Sequence, residues 1–398
     1  MILWAVELIR GSCHGHFCGE AAPSQPFDHF SVIADQREPW RVAHPLREVL
    51  LLVVCGTIAS CDDFDDIAEW GEAHLSFLRG LLPYHFGIPC ARWLNILMNR
   101  IDPKLFAACF MAWTRELRPD VPDVVAFDGK TSRRTHDRSA GKAALHLVSA
   151  FATAERLVLG QQAVADKSCE QEAIPELIDK LAASGTLAGA VVTIDAIACN
   201  PKIAANLIAA GADYVLTVKD NQPSLKAEVE RFFADAPLAS LDVHCDIDKG
   251  HGRIEERRCV VSSDIGWLQG DRRFPREYRF PKLTAIAMIE ATVELKDRCH
   301  RERRYYIASR PFSAERFAYV VRSHWRIENS LHWVLDVIFR EDLSRLRKGH
   351  GATNMAVVRH FALNLVRTVQ DKRSLKVRRK LAGWDVNYLA SILKPTAH

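Results

Sequence analysis

Between residues 27 and 117 apolar side chains recur at helical spacing. Leu46, Val49, Leu50, Val53 and Val54 trace one face, and Trp93, Leu94, Ile96, Leu97 and Ile101 trace another that Asp102-Pro103 punctuates. The run Asp62-Asp63-Phe64-Asp65-Asp66-Ile67 reads as a helix start, because carboxylates favour the positive end of the helix dipole. This period predicts an all-helical amino-terminal domain over 27–117, followed by a proline-marked linker at 118–123. From residue 124 the pattern changes. Val124–Phe127, Leu145–Thr153 and Leu157–Ala163 are strand-like and closely spaced, which predicts an antiparallel meander. A helical stretch at 172–181, a strand at 191–194, a helix at 201–210 and a strand at 214–218 then alternate, as parallel pairing through crossovers requires.

Three antiparallel strands followed by two parallel ones is the order of a ribonuclease-H-like domain. The predicted fold class is therefore α/β: a ribonuclease-H-like mixed sheet with flanking helices, preceded by the helical domain. Residues 124–222 form the first part of the core. Residues 223–304 break into polar and short apolar pieces and read as a β-rich insertion, and 305–370 complete the core with a returning strand at Tyr305–Ala308 and a helix over 314–340. Residues 371–398 form a basic carboxyl-terminal tail, and 1–26 an unstructured leader. Glu7 and Arg10 interrupt the leader's apolar stretch, which argues against a signal peptide. The run Val49–Ala59 is too short to span a bilayer, so the expectation is a protein of the bacterial cytoplasm, associated with the nucleoid.

Composition narrows the class. At 398 residues and 48% hydrophobic content the chain can bury a large core. A net charge of only +4 does not by itself mark a nucleic-acid binder, but its distribution does: Arg340–Lys380 holds twelve basic against three acidic residues, a local net of +9, as phosphate contact favours. The eleven cysteines contain no C-x-x-C pair and read as buried thiols of a reducing compartment. The Cys13, His14, His16, Cys18 cluster is too cramped for a usual structural zinc module.

Three acids carry the chemistry. Asp128 closes the apolar run Val-Val-Ala-Phe-Asp, Asp195 closes Val-Val-Thr-Ile-Asp, and Glu328 sits in the helical stretch His-Trp-Arg-Ile-Glu-Asn-Ser-Leu-His-Trp-Val-Leu-Asp. A carboxylate at the carboxyl end of a strand lies on the rim where open α/β sheets bind ligands. Taken singly, each aspartate could equally start a turn or cap a helix. Together the three supply hard oxygen ligands for a pair of Mg²⁺ ions, with Mn²⁺ a possible substitute, and so point to phosphodiester chemistry. Lys130, Arg133 and Arg134 follow Asp128 closely enough to contact phosphates, or else decorate a solvated turn. Lys219, Asn221 and Gln222 offer hydrogen bonds to a DNA backbone. His251 and Arg253 form a glycine-flanked basic turn or a plain hairpin tip. His332 and Asp336 follow Glu328 at four-residue steps, either as an intrahelical pair or as part of the site.

Several stretches also resemble a known family, the H-repeat-associated insertion-sequence transposases of the DDE superfamily. They are Phe-Asp-Gly-Lys-Thr (127–131), Ala-Leu-His-Leu-Val-Ser-Ala (144–150), Thr-Ile-Asp-Ala (193–196), 213–222, 248–255, 324–337 and 359–365. The likeness runs from about residue 27 to 393. It implies a DNA transposase that cleaves element ends and transfers strands into target DNA. Asp128, Asp195 and Glu328 would be its metal-holding catalytic triad, and a homodimer would act on double-stranded DNA. Where relatives carry an arginine four residues before the glutamate, this chain has His324. A cleavage-only nuclease and an inactive DNA-binding remnant are the competing functions.

Overall fold

A computed structural model describes residues 28–33, 35, 37, 38, 40, 42–164, 170–250, 253–269, 279–295 and 298–394. The leader, with its Cys13–Cys18 cluster, and His251 fall outside them.

The amino-terminal helices are α1 (Leu46–Ile58), α2 (Phe64–Ala73), α3 (Leu75–Arg79), α4 (Ala91–Arg100) and α5 (Pro103–Leu117). Asp63 caps α2 by accepting from the Asp66 amide at 2.9 Å, and Asp102 caps α5 with Pro103 at its first position. Nearly every α1 residue is buried, which fits a helix enclosed by others rather than one with a solvent face.

Nine strands then build one sheet in the order β3-β2-β1-β4-β5-β9-β8-β7-β6. The first three, β1 (Val124–Ser132), β2 (Leu145–Ala152) and β3 (Leu157–Val164), pair antiparallel. Next, α6 (Glu170–Ala183) leads to β4 (Val191–Ile194), and α7 (Pro201–Ala209) leads to β5 (Asp213–Val218); β4 pairs parallel with β1 and β5 with β4. This is the ribonuclease-H-like order that the alternation predicts.

The β-rich stretch does not stand apart from that sheet. After α8 (Pro223–Asp235) come β6 (Asp242–Gly250), β7 (Arg253–Ser262), a short α9 (Gly266–Gln269), β8 (Ala285–Leu295) and β9 (Arg298–Ala308). The returning strand is longer than predicted: its last residues pair with β5, Val215 opposite Ala308 and Val218 opposite Tyr305, while its whole length pairs with β8. One continuous strand thus joins core and extension.

Helices cover both faces. On one side α6, α7 and α8 bury Val125, Phe127, Ile194 and Leu216. On the other, α10 (Ala314–Ile327), α11 (Trp333–Val337) and α12 (Gly351–Thr368) pack with α1–α5, so Ala126 and Val158 of the sheet share one apolar cluster with the amino-terminal helices. The basic tail folds as α13 (Leu375–Trp384) and α14 (Val386–Leu393). Several of its cations are structural rather than free for phosphate. Arg379 is buried, donates to the Thr57 carbonyl at 2.8 Å and lies over the Phe339 ring; Arg378 holds Asp371 and the Val366 carbonyl. Upstream of the tail, Arg359 of α12 is likewise buried, beside Glu341.

The helix predicted over 314–340 is interrupted. Between α10 and α11, residues Glu328–His332 form a π turn, in which the Trp333 amide reaches back five residues to the Glu328 carbonyl. Such single wide turns recur at functional sites.

Candidate active site

Parallel register brings the two aspartates together. Ala126 lies opposite Thr193 and Phe127 opposite Ile194, so one more step sets Asp128 beside Asp195 on neighbouring strands about 4.8 Å apart. Strand alternation turns both toward α10, on the face that Ala126 and Thr193 share. The helix supplies the third acid. Asp128, Asp195 and Glu328 line a single cavity of about 180 Å³, with Thr193, Thr217, Lys219, Glu302, Arg304, Tyr306, His324 and Trp325 completing its wall.

The carboxylates differ in their surroundings. Burial pushes the Asp128 carboxyl up to about 6; His332 nearby pulls it back, and the like charge of Glu328 adds to the rise. His332 Nδ1 lies 3.5 Å from Asp128 Oδ2 and 3.3 Å from Glu328 Oε2. Asp128, Glu328 and His332 each bring a ligand atom within 4.8 Å of the others. The hydrogen bond from His332, which outweighs partial burial, holds Glu328 below its ordinary value. Asp195 is half exposed and pairs with Lys219 Nζ at 3.2 Å. Burial alone would raise its carboxyl, but the Ala196 amide and Lys219 outweigh it and leave it lowered.

Several residues expected to contact DNA are engaged elsewhere. Lys130 is the clearest correction: it is nine-tenths buried, with its Nζ 2.6 Å from Asp336, 3.0 Å from Glu341 and 3.7 Å from Asp342. It shares the Asp128 face, which here is roofed by the chain following Glu328, so it reaches carboxylates instead of phosphate. His332 is buried between Asp128 and Glu328 and presents nothing to a duplex. Asn221 donates to the Ala196 carbonyl at 2.6 Å and Gln222 to that of Cys199 at 3.0 Å, so both amides brace the turn after Asp195. Lys219 stays at the cavity, and Arg133 and Arg134 are exposed. Arg253 lies on β7 opposite Gly250.

Other site residues gave weaker sequence signals. Thr193 Oγ1 lies 3.0 Å from His324 Nδ1, and burial pulls this imidazole down to about 4, so it is uncharged at neutral pH. Arg304 instead brings a cation into the cavity, its guanidinium 5.0 Å from the Trp325 ring centre. On the opposite face of β1, Thr131 Oγ1 meets His146 Nδ1 at 2.7 Å, and His146 Nε2 meets Glu170 at 2.6 Å. A Cβ on Gly129 would sit 2.7 Å from His146 Nε2 and closer still to Glu170, which accounts for the glycine beside Asp128.

Comparison with known proteins gives the family of the chain. The family described as transposase DDE domain matches residues 119–365, and the one described as DDE_Tnp_1-associated matches residues 27–114. The chain belongs to the DDE transposase family. The H repeat-associated putative transposase YhhI of Escherichia coli is 36% identical over 92% of this chain and 97% of its own length. Putative protein YbfL of the same species is also 36% identical, over the same shares of both chains. A piggyBac transposase synaptic complex with hairpin DNA aligns at a TM-score of 0.41 and 10% identity, over 93% of this chain and 77% of that one, too distant to argue from. Family membership implies DNA as substrate and divalent metal ions in the chemistry. Among the described residues no helix is long and apolar enough to cross a membrane.

Proposed function

We propose that this chain is an insertion-sequence transposase whose Asp128, Asp195 and Glu328 hold two Mg²⁺ ions, cleave the ends of the element and transfer the freed strands into target DNA. The single cavity walled by all three carboxylates is the observation that supports this most. The donors are hard oxygens, as Mg²⁺ and its substitute Mn²⁺ require, and a cation would compensate the burial that disfavours the charged form of Asp128. Two bound ions would supply activation of the attacking oxygen and stabilisation of the leaving one.

The chain's own residues do the positioning. Asp128 lies close to Glu328 and on the strand beside Asp195, and these three carboxylates would hold the ions. Lys219, half exposed and paired with Asp195, is placed to meet a phosphate oxygen beside that carboxylate. His332 fixes Glu328 and Asp128 from behind rather than touching DNA. Neutral His324 adds no cation to the cavity, where Lys219 faces Asp195 and Arg304 is paired with Glu302 at 2.8 Å. Two element ends call for two such sites, so we assign a dimer on DNA, working in the cytoplasm at the nucleoid.

Asp128→Asn tests the reading. It should abolish metal-dependent cleavage of element ends while DNA binding persists; retained cleavage overturns the assignment. Pre-cleaved ends that fail to join would reduce the activity to that of a nuclease.

A further inference from the structure

Two segments far apart in sequence merge beside β1 into one cationic surface. The hairpin joining β1 and β2 carries Arg133, Arg134, Arg138 and Lys142, all exposed. The loop before α12 carries Arg345, Arg347 and Lys348, exposed likewise. They are bound directly to each other: Lys142 Nζ donates to the carbonyls of Arg347 at 2.9 Å and Gly349 at 3.1 Å, and Arg347 Nε donates to that of Arg134 at 3.4 Å. The loop is also fastened from beneath. Asn99 Oδ1 of α4 accepts the Gly351 amide at 3.0 Å, and a Cβ at Gly349 would meet the same oxygen at 2.8 Å.

Clustering like charges this way carries a repulsive cost that nearby acids do little to relieve. Asp137 accepts from Ser139 and Ala140 of its own turn and, of the surface cations, attracts Arg347. Glu341 and Asp336 are committed to Lys130, and Asp342 serves only Lys130 and Arg133. Arg138, Arg345 and Lys348 have no acidic partner among the described residues. A rigid surface of uncompensated cations is complementary to a polyanion.

We infer that this surface, formed by the 133–142 hairpin and the 345–348 loop, grips the phosphate backbone of duplex DNA beside the carboxylate site. The inference rests on the transposase reading and says where that duplex lies. Asp128 and Ser132 are four strand residues apart, about 13 Å. At 3.4 Å of rise per base pair, the surface meets the backbone about four base pairs from the bond at the carboxylates. Sequence is not read there, because phosphate contacts set register and orientation rather than base identity.

Binding of a duplex of about 30 base pairs, measured across salt concentrations, tests this, since each phosphate contact contributes about 0.9 to the slope of log affinity against log salt. The triple variant Arg138→Ala, Arg345→Ala, Lys348→Ala should flatten the slope by up to about 2.7. Its thermal unfolding should match that of the parent, because none of the three side chains holds an acidic partner among the described residues. Removing three cations from α13 and its approach (Lys372→Ala, Lys376→Ala, Lys380→Ala) changes net charge equally and should leave the slope unchanged. An unchanged slope in the first variant, or an equal loss in the second, overturns the proposal. Asp128→Asn separates the two readings: if it stops cleavage while the surface variant binds like the parent, the transposase survives and this surface does not.

Discussion

Replacing Lys130 by methionine isolates what its carboxylate cage does. The side chain is 10% exposed, and Glu341, its partner at 3.0 Å, is 1% exposed. Breaking such a buried pair from one side typically costs about 3–5 kcal/mol, since the surviving charge is left without compensation. Arg359 Nη1, 3.8 Å from the other Glu341 oxygen, softens this, which favours the lower end, about 3 kcal/mol. Asp336 adds little, because its carboxyl is one-third exposed. The sign with pH follows from Glu341. Burial would raise its carboxyl, but Lys130 leads the attractions that hold it lowered, so its contribution is present above 4.5 and is lost as pH falls through the folded value. Without Lys130 burial dominates and Glu341 takes up a proton at higher pH, so the deficit of Lys130→Met should be large at pH 8 and shrink toward pH 5. Urea denaturation at both pH values measures it. A variant as stable as the parent at pH 8, but weakened in DNA binding, would restore Lys130 to the phosphate role and refute the cage.

Asn221→Ala should lower cleavage turnover about fivefold with KM for DNA unmoved, since it removes about 1 kcal/mol of bracing behind Asp195; a raised KM with normal kcat would mean direct DNA contact. Gly129→Ala should destabilise the fold by about 1–3 kcal/mol by driving a methyl into Glu170 and His146, and thermal unfolding equal to the parent's would contradict that crowding. The Asp128 carboxyl is raised from 3.8 to about 6, so in the metal-free chain this group removes stability as pH rises through that window. Proton competition should correspondingly weaken Mn²⁺ binding below pH 6, read by calorimetry, and affinity independent of pH from 5 to 7 would place the metal elsewhere.

Much of the sheet was legible because its signals are local. Val-Val-Ala-Phe and Val-Val-Thr-Ile are buried on both faces, as central strands must be, and the carboxylate following each marks where pairing between β1 and β4 ends. The partners of Lys130 were not legible: Glu341 lies 211 residues away, and a lysine two places after an aspartate looks the same whether it meets phosphate or a buried glutamate. Arg378 and Arg379 illustrate the same limit, since a run of basic residues does not tell which face the helix buries. The extent of β9 was hidden by Arg298–Arg304, whose charge suggests a loop but belongs to a strand pairing with β8; there Arg303 and Arg301 reach Glu290 across the ladder. His324 stood out only as a departure from the arginine of its relatives, and Arg304 carries no motif of its own. Only the one-turn offset of His324 from Glu328, and the period-two step from Arg304 to Tyr306, hinted at a shared wall.

The wide turn at Glu328–His332 contains one more residue than a regular helix would need to cover the same span. Excising a single residue there would let α10 run straight into α11 with both ends still where their neighbours hold them. Glu328 would stay on the end of α10, but His332 would come to a three-residue step from it, rotated by about a quarter turn from its place against Glu328 and Asp128. The extra residue is thus what lets one helix present a carboxylate and, a full step later, the imidazole that braces it.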